Sequence, residues 1–239
     1  MLSRLYLVRH GETAWSLSGQ HTGRTDIPLT EQGEQDARKL AKRLCPVRFS
    51  HVFTSPLQRA RRTCELAGLV AEIEPDLAEW DYGDYEGQRP GDIRKSRPGW
   101  NVFRDGCPRG ESPAQVSERA DRLIARLRAL QGDIAIFSHG HFGRVLAARW
   151  IALRVSRAQH FLLKPASLSI LGYEHNLAEM PAIVLWNAVS NEGTTALATN
   201  RKANTTAIEQ WENEGGEVPG QRDAFYPTSS RPLQRFDWI

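Results

Sequence analysis

The sequence predicts an α/β fold in which helices cover both faces of a mostly parallel central sheet, giving a three-layer α/β/α sandwich. Three observations lead to this prediction. Short apolar strands alternate with amphipathic helices along the chain. The segment Asp133–Ser138 is apolar through most of its length, which indicates a buried strand. The chain has 239 residues, which is enough for a single large core.

The first half of the chain supplies three strands and two helices to this prediction. A buried strand is predicted over Arg4–Val8, and Thr30 is expected to cap the helix that follows. The apolar face of that helix has helical spacing and consists of Ala37, Leu40, Ala41 and Leu44. A second strand is predicted over Ser50–Ser55, and Pro56 is expected to start the next helix at its first position. A third, short strand is predicted near Val70–Ile73.

The second half begins with a strong helix signal. Ser112–Gln115 reads S-P-A-Q, a capping box with proline at the first helical position. The core stripe of the helix that it opens consists of Val116, Ala120, Leu123, Ile124 and Leu127. After the strand Asp133–Ser138, a further helix is predicted through Leu146, Ala147 and Trp150. The last two strands, Ser167–Tyr173 and Ile183–Trp186, are predicted to lie antiparallel or at a sheet edge.

Composition excludes several classes of protein. The net charge is only +3 and the basic residues are scattered, which argues against a nucleic-acid-binding protein. No apolar run approaches membrane-spanning length, and the first strand starts too close to Met1 for a signal peptide to precede it. Cys45, Cys64 and Cys107 lack any C-x-x-C spacing, so we expect free thiols in a reducing compartment. A cytoplasmic protein without membrane partners is expected.

The composition changes near Asn191, where polar and glycine-rich sequence begins. We therefore expect one domain over residues 1–190 and a polar C-terminal extension over residues 191–239. Whether this extension is docked or flexible stays open at this point. The side chains that could anchor it to the domain are Trp211, Phe225, Tyr226, Phe236 and Trp238.

Cationic side chains follow three of the predicted strands. Arg9 and His10 come after the first strand, Arg59 just after the second and His139 after the fourth. Ligands of open α/β sheets bind beyond the carboxyl ends of the strands, so we expect these side chains to form one anion pocket. Arginine suits a phosphate there because its planar fork donates two parallel hydrogen bonds and keeps its charge.

The same pocket can carry phosphoryl transfer. A neutral imidazole is a competent nucleophile toward phosphorus, and nearby cations keep it unprotonated near neutral pH. The leaving oxygen then needs an acid, for which Glu79 is the candidate because neighbouring aromatic residues would favour its protonated form. Three carboxylates of the same loop remain alternatives: Asp81, Asp84 and Glu86.

Four segments resemble the motifs of the histidine phosphatase superfamily, in its phosphoglycerate-mutase-like branch. They read LVRHGET, TSPLQRARRT, LAEWDYGDYEG and IFSHGH, they occur in the family's order, and the match covers roughly the first 190 residues. The resemblance implies a phosphoglycerate-mutase-like fold and a histidine phosphatase domain over residues 1–190. It also implies that His10 is the phosphorylated nucleophile and Glu79 the proton donor. The residues that it assigns to holding the phosphoryl group are Arg9, Arg59 and His139.

Further segments are similar to the fungal sedoheptulose-1,7-bisphosphatase subgroup, notably SGQHTGRTDIPLT, WNVFRDGCPRGES and SLSILGYEH. This implies a metal-independent phosphatase acting on a small phosphorylated metabolite such as that sugar bisphosphate. A cofactor-dependent phosphoglycerate mutase is the alternative, although Ser16 stands where mutases usually carry an asparagine that touches the phosphate. A catalytically silent phosphoester-binding protein is the other alternative, against which retention of Glu79 argues.

The substrate-binding candidates beyond the phosphoryl pocket are Ser16, Thr22, Gly23, Arg104 and Gly140. Arg104 would bind a second phosphate at the far end of the substrate, and its alternative role is an ion pair with Asp105.

Arg61 and Arg62 are expected on a solvated helix face. His139 and His141 could suggest a metal pair, but they lack a complete ligand set nearby, so neither metal nor cofactor is predicted. Association into a homo-oligomer is left open.

Overall fold

The computed structural model describes residues 2–189, which form a six-stranded sheet covered by helices on both faces. The strands are β1 (Leu5–Arg9), β2 (Phe49–Thr54), β3 (Glu72–Ile73), β4 (Asp133–Ser138), β5 (Leu168–Tyr173) and β6 (Pro181–Ala188). Their order is β3-β2-β4-β1-β5-β6. The first four strands run parallel, whereas β5 is antiparallel to β1 and β6 is antiparallel to β5. The predicted fold class is confirmed, and the predicted extension over 191–239 lies outside the described residues.

The helices are α1 (Ala14–Ser18), α2 (Glu31–Leu44), α3 (Gln58–Leu66), α4 (Pro90–Ser96), α5 (Val102–Asp105), α6 (Pro113–Arg128) and α7 (Gly140–Trp150). Strand β1 shows how they divide between the two faces. Tyr6 and Val8 pack in one core cluster with residues of α2 and α3, whereas Leu5 and Leu7 pack in the other with residues of α5, α6 and α7. Successive side chains of a strand point to opposite faces, so a central strand of this kind needs cover on both.

The predicted helix starts are confirmed where a local cap specifies them. The Thr30 hydroxyl accepts the Gly33 N–H at 3.0 Å and opens α2. Ser112 and Gln115 form the expected reciprocal capping box at the start of α6. The whole predicted core stripe of α6 is buried, because apolar residues three and four positions apart share one helix face.

Several element boundaries differ from the sequence-based prediction by one or two residues, and two of these differences have a clear structural reason. Helix α3 begins at Gln58 rather than at Pro56, since the carboxylate of Asp26 accepts the Gln58 N–H at 2.8 Å and caps the helix from a distant loop. Strand β3 covers only Glu72–Ile73, because only these residues pair with β2, and Val70 is 95% exposed. Helices α1, α4 and α5 had no counterpart in the prediction.

Two smaller findings concern cysteine and the membrane. Cys45, Cys64 and Cys107 are all free thiols, as predicted. Within residues 2–189, no helix combines the length and the apolar character that are needed to cross a bilayer.

Candidate active site

The register of β1 and β4 brings the two predicted site histidines together. Arg9 pairs with Ser138 in this parallel ladder, so the next residues, His10 and His139, leave the sheet side by side. Their ring centroids lie 5.1 Å apart, and both side chains are buried. The prediction that these strand ends converge is therefore confirmed for the histidines.

The environment of His10 leaves one ring nitrogen bare. Its Nδ1 lies 2.7 Å from the carbonyl oxygen of Gly11, and a carbonyl only accepts hydrogen bonds, so Nδ1 carries the proton. Burial lowers the pKa of His10 well below its usual value, and the charges of Arg59 and Arg9 lower it further. The ring is therefore neutral at physiological pH, with a lone pair on Nε2.

Arg59 and Arg9 are anchored by backbone carbonyl groups rather than by carboxylates. Arg59 donates to the carbonyl oxygens of Thr25 and Thr22, both at 2.9 Å, and Arg9 donates to that of Leu163. Burial is the main cause that lowers the pKa of each guanidinium. Within residues 2–189 neither guanidinium forms an ion pair with a carboxylate, so both can bind an anion.

Three buried nitrogen atoms of this group lack a hydrogen-bond partner among residues 2–189: Arg9 Nε, Arg59 Nε and His139 Nδ1. Buried polar groups in native proteins nearly always have a partner, so unpaired donors in one cluster need an explanation. An anion bound against this cluster would supply the missing acceptors.

Glu79 accepts hydrogen bonds from three backbone N–H groups. Its Oε1 accepts from Trp80 at 2.9 Å and from Phe142 at 2.8 Å, and its Oε2 accepts from His141 at 3.0 Å. The last two donors belong to the first turn of α7, so the carboxyl group also caps that helix. This arrangement holds Glu79 at the N-terminus of α7.

The other carboxylates of the Glu79 loop are engaged elsewhere. Asp81 pairs with Arg24, Asp84 with Arg109, and Glu86 accepts the N–H groups of Gly23 and Thr25. None of the three lines the cleft in the described residues, whereas Glu79 does. Glu79 is thus the carboxyl group of this loop that the structure brings to the site.

A cleft of about 160 Å³ opens above His10. Its walls are formed by Arg9, His10, Ser16, Gly19, Gln20, His21, Thr22, Glu79, Tyr82, Pro90, Gly140, His141, Arg144 and Leu163. Arg59 and His139 are fully buried and are not among the residues that line this cleft. The predicted residues therefore divide into those that line the cleft and those that are buried.

Arg144 is a cleft residue that the sequence analysis did not identify. Its guanidinium donates to the carbonyl oxygens of Ala158 and Gln159 and lies 4.5 Å from the ring centroid of Phe103. Burial lowers its pKa to about 10, so it stays cationic at neutral pH. The available signal was its position four residues after Gly140, which places both on one face of α7.

His21, Tyr82 and His141 form a second group that sequence reasoning missed or gave a lesser role. The Tyr82 hydroxyl is hydrogen-bonded to His141 Nδ1, and the His21 ring stacks on Tyr82 with centroids 4.3 Å apart. His141 lies in the first turn of α7 and also lines the cleft.

The smaller substrate-binding candidates fall into two sets. Ser16, Thr22 and Gly140 line the cleft, although the Ser16 hydroxyl forms a capping box with Thr13. Gly23 does not line the cleft, and its N–H is already engaged because it donates to Glu86. A Cβ at Gly23 would lie 2.6 Å from the Trp80 carbonyl oxygen, so the glycine serves close packing.

The position of Arg104 does not fit the role predicted for it. It lies outside the cleft lining, is 63% exposed in its side chain, and forms an ion pair with Asp105 at 2.8 Å. The role of binding a second phosphate, which its sequence position suggested, has no support in this geometry. The alternative role, the Asp105 ion pair, is the one observed.

Among the three arginines of the R-A-R-R segment, only Arg59 is buried. Arg61 is exposed, and Arg62 pairs with Glu34 and Glu65 on the outer face of α3. The expectation of a solvated face for these two residues is confirmed.

One ring nitrogen of each of His139 and His141 has a partner within the protein. Nε2 of His139 is bonded to Ser55, and Nδ1 of His141 is bonded to Tyr82. In the part of the chain that the structure describes, no three His, Cys, Asp or Glu side chains are grouped so that they could hold a metal ion.

The chain is similar in sequence to known phosphatases. The family model of the histidine phosphatase superfamily (branch 1) matches residues 5–189. An acid phosphatase of Mycobacterium tuberculosis is 43% identical, over 76% of this chain and 92% of that protein. A sedoheptulose 1,7-bisphosphatase of Saccharomyces cerevisiae is 34% identical over the same shares.

A solved structure is also similar in fold. The solved structure of a Mycobacterium tuberculosis open reading frame superimposes with a TM-score of 0.74 at 39% identity, covering 78% of this chain and 98% of that one. With its strand-end histidines, its buried arginines and a family match that spans nearly all the described residues, the chain belongs to branch 1 of the histidine phosphatase superfamily.

Proposed function

We propose that this protein is a metal-independent phosphatase that hydrolyses a small phosphorylated metabolite through a phosphohistidine at His10. Its enzyme class, phosphoric monoester hydrolase, follows from its family and from the phosphatases related to it. The observation that carries the proposal is the state of His10: a neutral ring with Nδ1 held by Gly11 and a lone pair on Nε2. Buried arginines on the same site supply the complementary charge.

In the first step, Nε2 of His10 attacks phosphorus and the bond between phosphorus and the substrate oxygen breaks. The negative charge on the equatorial phosphoryl oxygens is stabilised by Arg9, Arg59 and His139, whose N–H groups are already in place. Because these donors are held by the protein before substrate arrives, little reorganisation accompanies the transfer.

Glu79 supplies the proton to the leaving oxygen. In the second step it takes a proton from water, which attacks the phosphohistidine and releases inorganic phosphate. The carboxyl group thus returns to its protonated state and His10 to its neutral state, so no proton is gained or lost over the cycle. Its place in the cleft wall supports this role.

The preferred substrate in this proposal is a sugar bisphosphate such as sedoheptulose 1,7-bisphosphate. The sequence similarity to a bisphosphatase of that substrate supports it. Arg144 lines the cleft, and the mechanism does not use it for the transferring phosphoryl group. Its guanidinium is therefore the cation that we assign to a second phosphate group of the substrate. Arg104, which pairs with Asp105 outside the cleft, is not assigned a role in binding the substrate.

The test is rapid mixing with substrate followed by a denaturing quench. We expect an acid-labile, base-stable phosphoryl group on the chain, and we expect His10→Ala to abolish both this group and turnover. Phosphate release over a panel of sugar phosphates and bisphosphates, with chelator present, then identifies the substrate class. A large residual activity in His10→Ala contradicts the mechanism, and activity that needs a divalent ion contradicts metal independence.

The two alternatives give different results in the same experiment. A phosphoglycerate mutase would interconvert phosphoglycerates while releasing little phosphate. A silent binding protein would bind members of the panel without forming phosphohistidine.

A further inference from the structure

Ser55 connects the end of β2 to the second site histidine. The residue is fully buried, and its N–H donates to the Phe137 carbonyl oxygen at 2.9 Å, which fixes its place beside β4. Its Oγ lies 2.7 Å from Nε2 of His139. The proposed mechanism gives this hydroxyl no role.

The direction of the Ser55–His139 hydrogen bond follows from the other partner of the hydroxyl. Oγ accepts the N–H of Leu57 at 3.3 Å, and a backbone N–H can only donate. Among residues 2–189 the remaining partner of Oγ is His139 Nε2. A buried hydroxyl proton without an acceptor is costly, so the proton of Ser55 points to Nε2, which must then be the bare nitrogen.

The proton of the neutral ring therefore sits on Nδ1 of His139. This nitrogen is buried and has no hydrogen-bond partner among the described residues, so it is the ring nitrogen left for a ligand. The ring is neutral because burial, together with the charges of Arg59 and Arg9, lowers the pKa of His139 well below its usual value. A neutral imidazole donates from only one nitrogen, so its function depends on the tautomer.

We propose that Ser55 is a positioning residue that holds His139 in the Nδ1-protonated tautomer, so that Nδ1–H is donated to an oxygen of the transferring phosphoryl group. The inference rests on the proposed function, because it assigns the hydrogen bond by which His139 serves that reaction. His10 and His139 are then held in the same tautomer for opposite uses. The carbonyl oxygen of Gly11 leaves His10 a bare Nε2 for attack, and the Ser55 hydroxyl leaves His139 an Nδ1–H for donation.

The direct test is the tautomer itself. In ¹⁵N-histidine-labelled protein, the chemical shifts of the two ring nitrogens distinguish a protonated from a bare nitrogen, and His139→Gln identifies the His139 signals by their loss. Near neutral pH we expect protonated Nδ1 and bare Nε2. A bare Nδ1 overturns the inference, and this measurement needs neither turnover nor a Ser55 variant that folds.

The functional test compares two buried serines. Ser55→Ala removes the hydroxyl from His139, whereas Ser138→Ala removes an equally buried hydroxyl that donates to the Leu77 carbonyl oxygen at 2.8 Å. We expect Ser55→Ala to reduce kcat/KM about 10- to 100-fold, the range for partners that orient a functional histidine. We expect Ser138→Ala to keep the His139 tautomer and the His139 pKa of the unmodified protein.

The pKa of His139 separates positioning from a general structural effect. The Ser55 hydroxyl donates to the lone pair of the neutral His139 ring, so its removal raises the pKa of His139, which the ¹⁵N shifts of that ring follow as the pH is lowered. An unchanged pKa of His139 with an unchanged tautomer in folded Ser55→Ala overturns the inference. Turnover without a phosphohistidine would instead contradict the proposed function, because the phosphohistidine forms on His10 and does not depend on the His139 tautomer.

Discussion

At the scale of single residues, Glu79 combines a structural and a chemical role. Its carboxyl group caps α7 through the N–H groups of His141 and Phe142, and the same group lies in the cleft wall above His10. A substitution at this residue therefore affects stability and chemistry together. The two effects can be separated by comparing substrates with different leaving groups.

Glu79→Gln keeps the shape of the side chain but removes its titrating proton. Its amide N–H₂ would face an N–H group of the first turn of α7, so we expect a loss of about 1–3 kcal/mol in the free energy of unfolding, measured with urea. On a sugar phosphate the rate of His10 phosphorylation should fall by about two to four orders of magnitude. An aryl phosphate should lose far less, because its leaving oxygen needs little protonation.

Glu86→Gln is the matched control for Glu79→Gln, since Glu86 also accepts backbone N–H groups but lies outside the cleft lining. Any loss it causes should be equal on the two substrates. Equal losses for Glu79→Gln as well, measured by rapid quench, would show that Glu79 is not the acid.

At the scale of elements, the turn after β1 packs directly on the first turn of α2. A Cβ at Gly33 would lie 2.2 Å from the Glu12 carbonyl oxygen, and one at Gly11 would lie 2.5 Å from that of Gly33. The two glycines thus let α2 approach the turn that carries His10. The position of the nucleophile depends on this close backbone contact.

Gly33→Ala should therefore destabilise the protein, although alanine usually stabilises a helix relative to glycine. We expect a loss of about 1–3 kcal/mol in the free energy of unfolding from the forced backbone shift. Gly91→Ala in α4 is the control, because a Cβ there meets no atom within 4 Å. It should gain about 0.5–1 kcal/mol. Urea unfolding of both variants tests the pair, and a gain in Gly33→Ala would contradict the close contact.

At the scale of the whole molecule, burial of histidines links stability to pH. The pKa values of His10, His139 and His141 lie well below the usual value, and that of His21 is lowered to about 4, with burial as the largest cause in each case. Above about pH 6.5 these groups are neutral in both the folded and the unfolded chain, so they contribute no pH dependence. Below it, the unfolded chain binds protons that the folded chain does not.

Stability should therefore fall as the pH is lowered from about 6.5 toward 5. Each of the four histidines contributes up to about 1.4 kcal/mol per pH unit to the slope of the unfolding free energy. The measurement is urea unfolding at several pH values in this window. His21→Phe keeps a ring stacked on Tyr82. It should lower the slope of unfolding free energy against pH by the contribution of one histidine. A free energy that is independent of pH here would contradict the buried neutral state.

Elements with local signals could be predicted from the amino-acid sequence. Periodicity and caps predicted α2 and α6, because apolar spacing and a capping serine or threonine act within one or two turns. Placing His10, Arg59 and His139 near strand ends also predicted their convergence, since parallel strands end at one edge of the sheet. Most of the fold, and the convergence of these three side chains, could be predicted in this way.

The partners of individual side chains could not be predicted in this way, because they depend on how the whole chain folds. Arg104 pairs with its neighbour Asp105 outside the cleft, whereas Arg144, with no assigned role in the sequence, lines it. Helix α3 starts where Asp26 caps it from 32 residues away. The tautomer of His139 likewise depends on Ser55, 84 residues distant. Such contacts join segments far apart in the chain, and their formation depends on packing that no local spacing specifies.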